Sequence, residues 1–159
     1  MALRLALETP EMVKGVAAIA ANLPAPDNMD CKVASSPSRF VTFVEGTKDP
    51  INPYSGGRVT LFGFGNRGNV LSAQASAEWF ARALGLATAE AQALETVSGI
   101  SAHQQDWISS SGHVRLITIE GGGHTVPQAA YRFPRILGPT FKSDSVLEST
   151  WRLFAASGG

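Results

Sequence analysis

The sequence predicts an α/β layered fold, and three observations carry that prediction. Apolar, β-branched runs alternate along the chain with segments whose apolar residues recur at helical spacing, as when sheet and helix layers succeed one another. One run, "GVAAIAANLP", is continuously apolar, the pattern of a strand covered on both faces in a parallel sheet. The 159 residues, 44% hydrophobic with a mean hydropathy of +0.04, suffice for a single domain with a real core. The expected sheet is small, mostly parallel and flanked by helices.

Residues 1–9 form the first helix, with Leu3, Ala6 and Leu7 at helical spacing and Pro10 as the stop. No capping residue precedes it, and so short a helix does not hold alone, so it reads as the tail of a longer element. The apolar strand follows between Gly15 and Pro24, then a loop, "PAPDN", at 24–28. "RFVTFVEG", residues 39–46, is the second strand, and "TKDPINPYSGG" after it is turn-forming, with Asp49 before Pro50. "RVTLFGFG" is a short strand. "SAQASAEWFARALG" is a helix capped by Ser72 and ended by Gly85. In it Glu78 and Arg82 pair at i,i+4, and Ala77, Phe80, Ala81 and Leu84 form the apolar face. Residues 97–108 and 113–120 are two strands around a Ser110-Ser111-Gly112 turn. The last helix opens with Ser145 and Glu148 in capping-box spacing and sets Leu147, Trp151 and Phe154 on one face. There are no repeats, low-complexity tracts or linkers, so residues 1–159 read as a single domain.

Composition excludes several classes of function. Charged residues make up 16% of the chain, against roughly 25% in an ordinary soluble domain. Such a chain either buries an unusual share of itself or offers a weakly charged surface to a partner. Its net charge of zero gives no pull toward nucleic acid or an anionic membrane. No segment reaches the roughly 18 apolar residues of a membrane span. "MALRLALETP" lacks the basic, apolar and cleavage regions of a secretory signal, so the chain as it stands is expected in the cytoplasm. Cys31 is the sole cysteine, which rules out an intrachain disulfide and a cysteine-built metal site; it reads as a small packed residue, with a reactive thiol as the alternative. His103, His113 and His124 show no metal-binding spacing. Neither a metal nor a cofactor is expected.

"GFGNRG", residues 63–68, matches the G-x-G-x-x-G of dinucleotide-binding turns. The match is weak. It begins mid-chain, the cap Ser72 lies four residues beyond its last glycine, and Glu90, about 20 residues on, has no apolar strand before it. A glycine-rich loop is the better reading.

Asp49 and His124 are the stronger pair. Each follows a strand expected to be buried, and α/β folds place their chemistry at the carboxyl ends of parallel strands. Asp-Pro is also ordinary turn chemistry. In "TIEGGGHTVP", the three glycines before His124 either carry an imidazole over the end of a strand or make a surface turn. Asp-then-His is the order of the last two members of a Ser…Asp…His triad, where the carboxylate fixes the imidazole tautomer and the imidazole takes the nucleophile's proton.

The stretches "MALRLALETPEMVKGVAAIAANLP", "EGTKDPINPYSGG", "VLSAQASAEWFARALG" and "IEGGGHTVP" resemble the C-terminal half of the polyhydroxybutyrate depolymerase and feruloyl/acetyl-xylan esterase group of α/β-hydrolases. The resemblance implies a truncated α/β-hydrolase fold and an ester substrate, with Asp49 as triad acid and His124 as triad base. Full-length relatives are often exported. The family often carries Trp where this chain has Val126, which bears on substrate preference, and His or Asn where it has Glu45. The family's nucleophile occupies a G-x-S-x-G elbow immediately before the "MAL" helix, and no G-x-S-x-G occurs in the 159 residues. Ser55, Cys31 and serines 109–111 have no spacing that supports a substitute. The resemblance therefore leads one to expect a triad acid and base without a serine, with weak or no esterase activity alone. The alternatives are a non-catalytic self-associating domain or one half of a split hydrolase. A homodimer is expected, because the strand near 15–22 is left without the neighbour it has in the full hydrolase.

Overall fold

The computed structural model describes residues 1–156, with side chains throughout except at 88–90. In chain order the elements are α1 (Ala2–Glu8), β1 (Val16–Ile19), β2 (Phe40–Gly46), β3 (Gly57–Arg58), β4 (Asn69–Val70), α2 (Ala73–Ala83), β5 (Ala87–Val97), β6 (Ile100–Ser109), β7 (Gly112–Ile119) and α3 (Ser145–Ala156). Five of the strands make one sheet in the order β1-β2-β7-β6-β5, and β3 pairs with β4 in a small ribbon.

β2 lies at the parallel heart of the sheet, between β1 and β7, and Val41 through Gly46 are all buried. Its β-branched and aromatic residues feed two cores. Val41 and Phe43 pack toward α1 and α2 with Leu7, Ala77 and Phe80, where the rings of Phe43 and Phe80 lie 6.0 Å apart. Val44 packs on the opposite face with Ile117, Phe141 and the α3 residue Val146. The sheet is thus a layer between α1 and α2 on one side and α3 on the other, the α/β arrangement expected.

The sheet is mixed rather than mostly parallel. β1–β2 and β2–β7 run parallel, while β7–β6 and β6–β5 run antiparallel. β5 is the unexpected member, because "ATAEAQALETV" is rich in good helix formers. Its conformation is imposed by β6, to which Ser98 and Gly99, both at positive φ (52° and 78°), join it in a tight hairpin. Tertiary pairing overrides local propensity there. The side chain of Glu90 lies outside the described residues.

β1 also departs from expectation. It is four residues long, alternately buried, and lies at the sheet edge, with β2 as its one neighbour among the described residues. Its apolar run ends early because Ala20 takes φ 53°. The expected strand after Gly57 shrinks to two residues, and residues 63–68 ride on the excursion between β3 and β4, with Phe64 79% exposed. They form no strand-to-helix turn that would cradle a pyrophosphate. α2 matches its local signals: the Ser72 hydroxyl accepts from the Ala75 N–H at 3.0 Å, and Gly85 takes φ 65° just past the end. In α3, Ser145 is the first helical residue rather than the cap, and the Asp144 carbonyl receives the Glu148 N–H. Its buried face is built on Val146 and Thr150, and Trp151 is 71% exposed, because helix phase is set by the sheet it covers.

Candidate active site

The two candidate residues are 75 positions apart, yet parallel pairing brings their loops together. Gly46 and Ile119 end β2 and β7 in direct register, so both chains leave the same end of the sheet side by side. The loops are then stitched: Lys48 N–H donates to the Gly122 carbonyl at 2.9 Å, and Gly121 N–H donates to the Thr47 hydroxyl at 2.8 Å. The run of glycines before His124 answers to this crowding. Gly121 adopts φ 80°, and a Cβ on Gly123 would lie 2.1 Å from the Leu137 carbonyl oxygen. His124 itself donates its N–H to that carbonyl at 2.7 Å.

Asp49 has a wholly buried side chain and uses both carboxylate oxygens. Oδ1 accepts from the N–H groups of Ile51 (2.7 Å) and Asn52 (2.8 Å), an Asx-type turn that local "DPIN" chemistry favours. Oδ2 lies 2.8 Å from Nδ1 of His124. The His124 side chain is 32% exposed, and its Nε2 has no hydrogen-bond partner among the described residues. A carboxylate can only accept, so the neutral imidazole donates from Nδ1 and carries its lone pair on Nε2, toward the open side. That is the arrangement of a general base oriented by a buried acid.

Glu45, a departure from the family pattern with no role assigned from sequence, joins the site together with Asn52 and Tyr54, which no sequence signal singles out. Glu45 is fully buried at the end of β2. Oε1 accepts from the Ala21 N–H at 2.9 Å and Oε2 from the Asn52 amide at 3.4 Å. Burial, assisted by the neighbouring Asp49 charge, pushes its carboxyl up to about 8, against the opposing hydrogen bonds from Ala21 and Asn52. Tyr54 Oη pairs with Thr118 Oγ1 at 2.9 Å, and the Asn22 amide donates to the Pro53 carbonyl at 3.1 Å. The legible signal was a carboxyl inside the otherwise apolar run "FVTFVEG".

The other sequence candidates lie apart from this pair. Serines 109–111 turn at the start of β7, whose eight residues put them roughly 25 Å from the end that leads to His124. There Ser111 donates to the Leu84 carbonyl at 2.8 Å. Ser55 is exposed, and Cys31 lines an apolar cavity of about 580 Å³ beside α1 and β1. No hydrogen bond joins either to His124 among the described residues. His113 is held instead by Asp106, Nε2 to Oδ1 at 2.7 Å, on the middle of the sheet. Burial raises the Asp106 carboxyl, but hydrogen bonds from His113 and Arg115 outweigh it and hold the group below its usual range. His103 approaches Glu120 at 4.0 Å. Among the described residues no group of three His, Cys, Asp or Glu side chains is placed to hold a metal ion.

No family model matches the chain, and no solved structure matches it. A protein of Nocardia uniformis subsp. tsuyamanensis described as "Putative esterase NocK" is 29% identical to it over 160 residues, which cover 94% of this chain and 46% of that protein. The chain spans about half the length of this curated relative, and what it resembles is an esterase-like protein.

Proposed function

We propose that this chain supplies the acid and base of a carboxylic ester hydrolase of the α/β-hydrolase type, akin to polyhydroxybutyrate depolymerases and feruloyl esterases. Asp49 is the acid that orients His124 and stabilises its imidazolium. His124 Nε2 takes the proton of the attacking nucleophile and returns it to the departing alcohol. The nucleophile is a serine outside these 159 residues, on a neighbouring segment or a companion chain. The observation that carries the reading is the 2.8 Å contact from Asp49 Oδ2 to His124 Nδ1, with the acid buried and the far ring nitrogen open. The esterase-like relative supports the reaction class.

The 159-residue chain alone is expected to hydrolyse p-nitrophenyl acetate weakly or not at all, since a lone general base contributes about 10²–10⁴-fold at best. Supplying a segment that carries a G-x-S-x-G serine is expected to restore turnover, and His124→Ala to abolish what is restored. A stoichiometric burst of p-nitrophenol from the chain alone overturns this view, because it reveals a covalent nucleophile within these residues. A second reading, a self-associating domain, is favoured by the free edge of β1 and the apolar cavity beside it. On that reading a second copy of this chain covers the edge as a homodimer.

A further inference from the structure

Glu45 is a fully buried carboxyl, and among the described residues the charged group acting on it is another anion, Asp49. A strand end otherwise made of Val, Phe, Thr and Gly has no packing need for it. We propose that Glu45 is a positioning residue for the Asp49–His124 pair, clamping the loop that carries Asp49 to the end of β1 through Asn52 and Ala21. The inference rests on the acid–base reading above.

The contacts form one continuous chain. Ala21 N–H donates to Glu45 Oε1 at 2.9 Å, Asn52 Nδ2 donates to Oε2 at 3.4 Å, and the Asn52 N–H donates to Asp49 Oδ1 at 2.8 Å. The Ala21 N–H is presented just after Ala20, whose φ of 53° is a conformation that L residues avoid. Successive loop residues are pinned in the same way: Asn52 by Glu45, Pro53 by Asn22, and Tyr54 by Thr118. Thr118 is the β7 residue in register with Glu45 itself. Three adjacent strand ends thus hold three consecutive residues of the acid loop, and Glu45 is the central anchor.

The groups facing Glu45 are the neutral Ala21 N–H from the end of β1, the Asn52 amide from the loop, and Asp49, with His124 beyond it; β7 contributes the neutral Thr118 beside it. With its carboxyl raised to about 8, Glu45 is neutral at pH 7 and adds no second charge beside Asp49. Above that pH a second buried anion faces Asp49 across Asn52; the bonds from Ala21 and Asn52 strengthen with its charge, and its repulsion of Asp49 is passed through Asn52 to the Asp49–His124 pair.

The test is an NMR titration of the 159-residue chain from pH 6 to 9.5, following the Glu45 carboxyl carbon, the His124 ring nitrogens and the exchange of the His124 Nδ1 proton. In the wild-type chain the Glu45 and His124 signals are expected to inflect together near pH 8. Glu45→Gln, which keeps size and neutrality, is expected to retain slow Nδ1 proton exchange and lose the His124 inflection. Asn52→Ala is expected to leave Glu45 titrating while His124 no longer follows it. Glu45→Ala is expected to speed the exchange at least tenfold; if that variant does not fold, the Gln and Asn52 variants carry the test. An unchanged His124 inflection in Glu45→Gln, or exchange in a folded Glu45→Ala as slow as in the wild type, overturns the proposal. Failure of the underlying reading is seen separately, as an Asp49→Asn variant whose Nδ1 proton behaves as in the wild type.

Discussion

Removing the Asp49 carboxylate separates its structural work from its chemical work. Asp49→Ala strips the acceptor from two backbone N–H groups, those of Ile51 and Asn52, and from the His124 ring. The lost side chain is fully buried and its bonds to the two backbone donors are part-buried, so each donor left unmet costs up to roughly 1–3 kcal/mol. The ring is about a third exposed and can turn to water, so it adds little. The expected loss is up to about 2–6 kcal/mol. Asp49→Asn keeps Oδ1 on both backbone donors and loses only the bond to the part-exposed ring, so its cost in stability stays small beside that of Asp49→Ala. It also sets an N–H donor against Nδ1, which forces the proton onto Nε2, the nitrogen that the proposed general base needs free. Urea unfolding at pH 7 measures the first effect: for a slope of 1–3 kcal/mol per molar, the Ala midpoint falls on the order of 2 M. Ring ¹⁵N shifts of His124 measure the second, with a change of neutral tautomer in the Asn variant. An Ala variant as stable as the wild type, or an Asn variant still protonated at Nδ1, refutes the reasoning.

Phe80→Ala, which empties the contact with Phe43 at a fully buried position, is expected to cost about 3–5 kcal/mol in the same unfolding assay. Stability should fall with rising pH through Glu45. Its folded value of about 8 exceeds the unfolded 4.5, so its contribution is full below 4.5 and is lost as pH rises toward 8. A Glu45→Gln series of denaturation curves across that window should be flatter than the wild type, and equal slopes argue against a neutral buried acid. Light scattering at high concentration should give a dimer, and Ala17→Lys, at the β1 edge beside the apolar cavity, should return it to monomer. A wild-type monomer at every concentration removes the homodimer.

What the sequence by itself determined were the elements with local causes. The Ser72 cap, the Gly85 stop and the Phe80 stripe define α2 within the chain's own first and last turns, and the structure returns them unchanged. β2 reads from its run of Val, Phe and Thr, and the Asp and His that follow two strands stand out because each sits in turn chemistry at a strand end. Tertiary structure decided everything that depends on a neighbour. β5 is a strand only because β6 offers it a hairpin partner, against the preference of its alanines and glutamates. The antiparallel half of the sheet follows from that pairing, and α3 turns Trp151 outward because the sheet beneath it meets Val146 and Thr150. Serines 109–111 lie within 15 positions of His124 yet at the far end of β7, while Asp49, 75 positions away, touches it. Glu45 belongs to the same class. Nothing in "FVEG" says whether its carboxyl meets water or Ala21, Asn52 and Asp49, since burial comes from packing among residues far apart in the chain, and that packing also moves its proton.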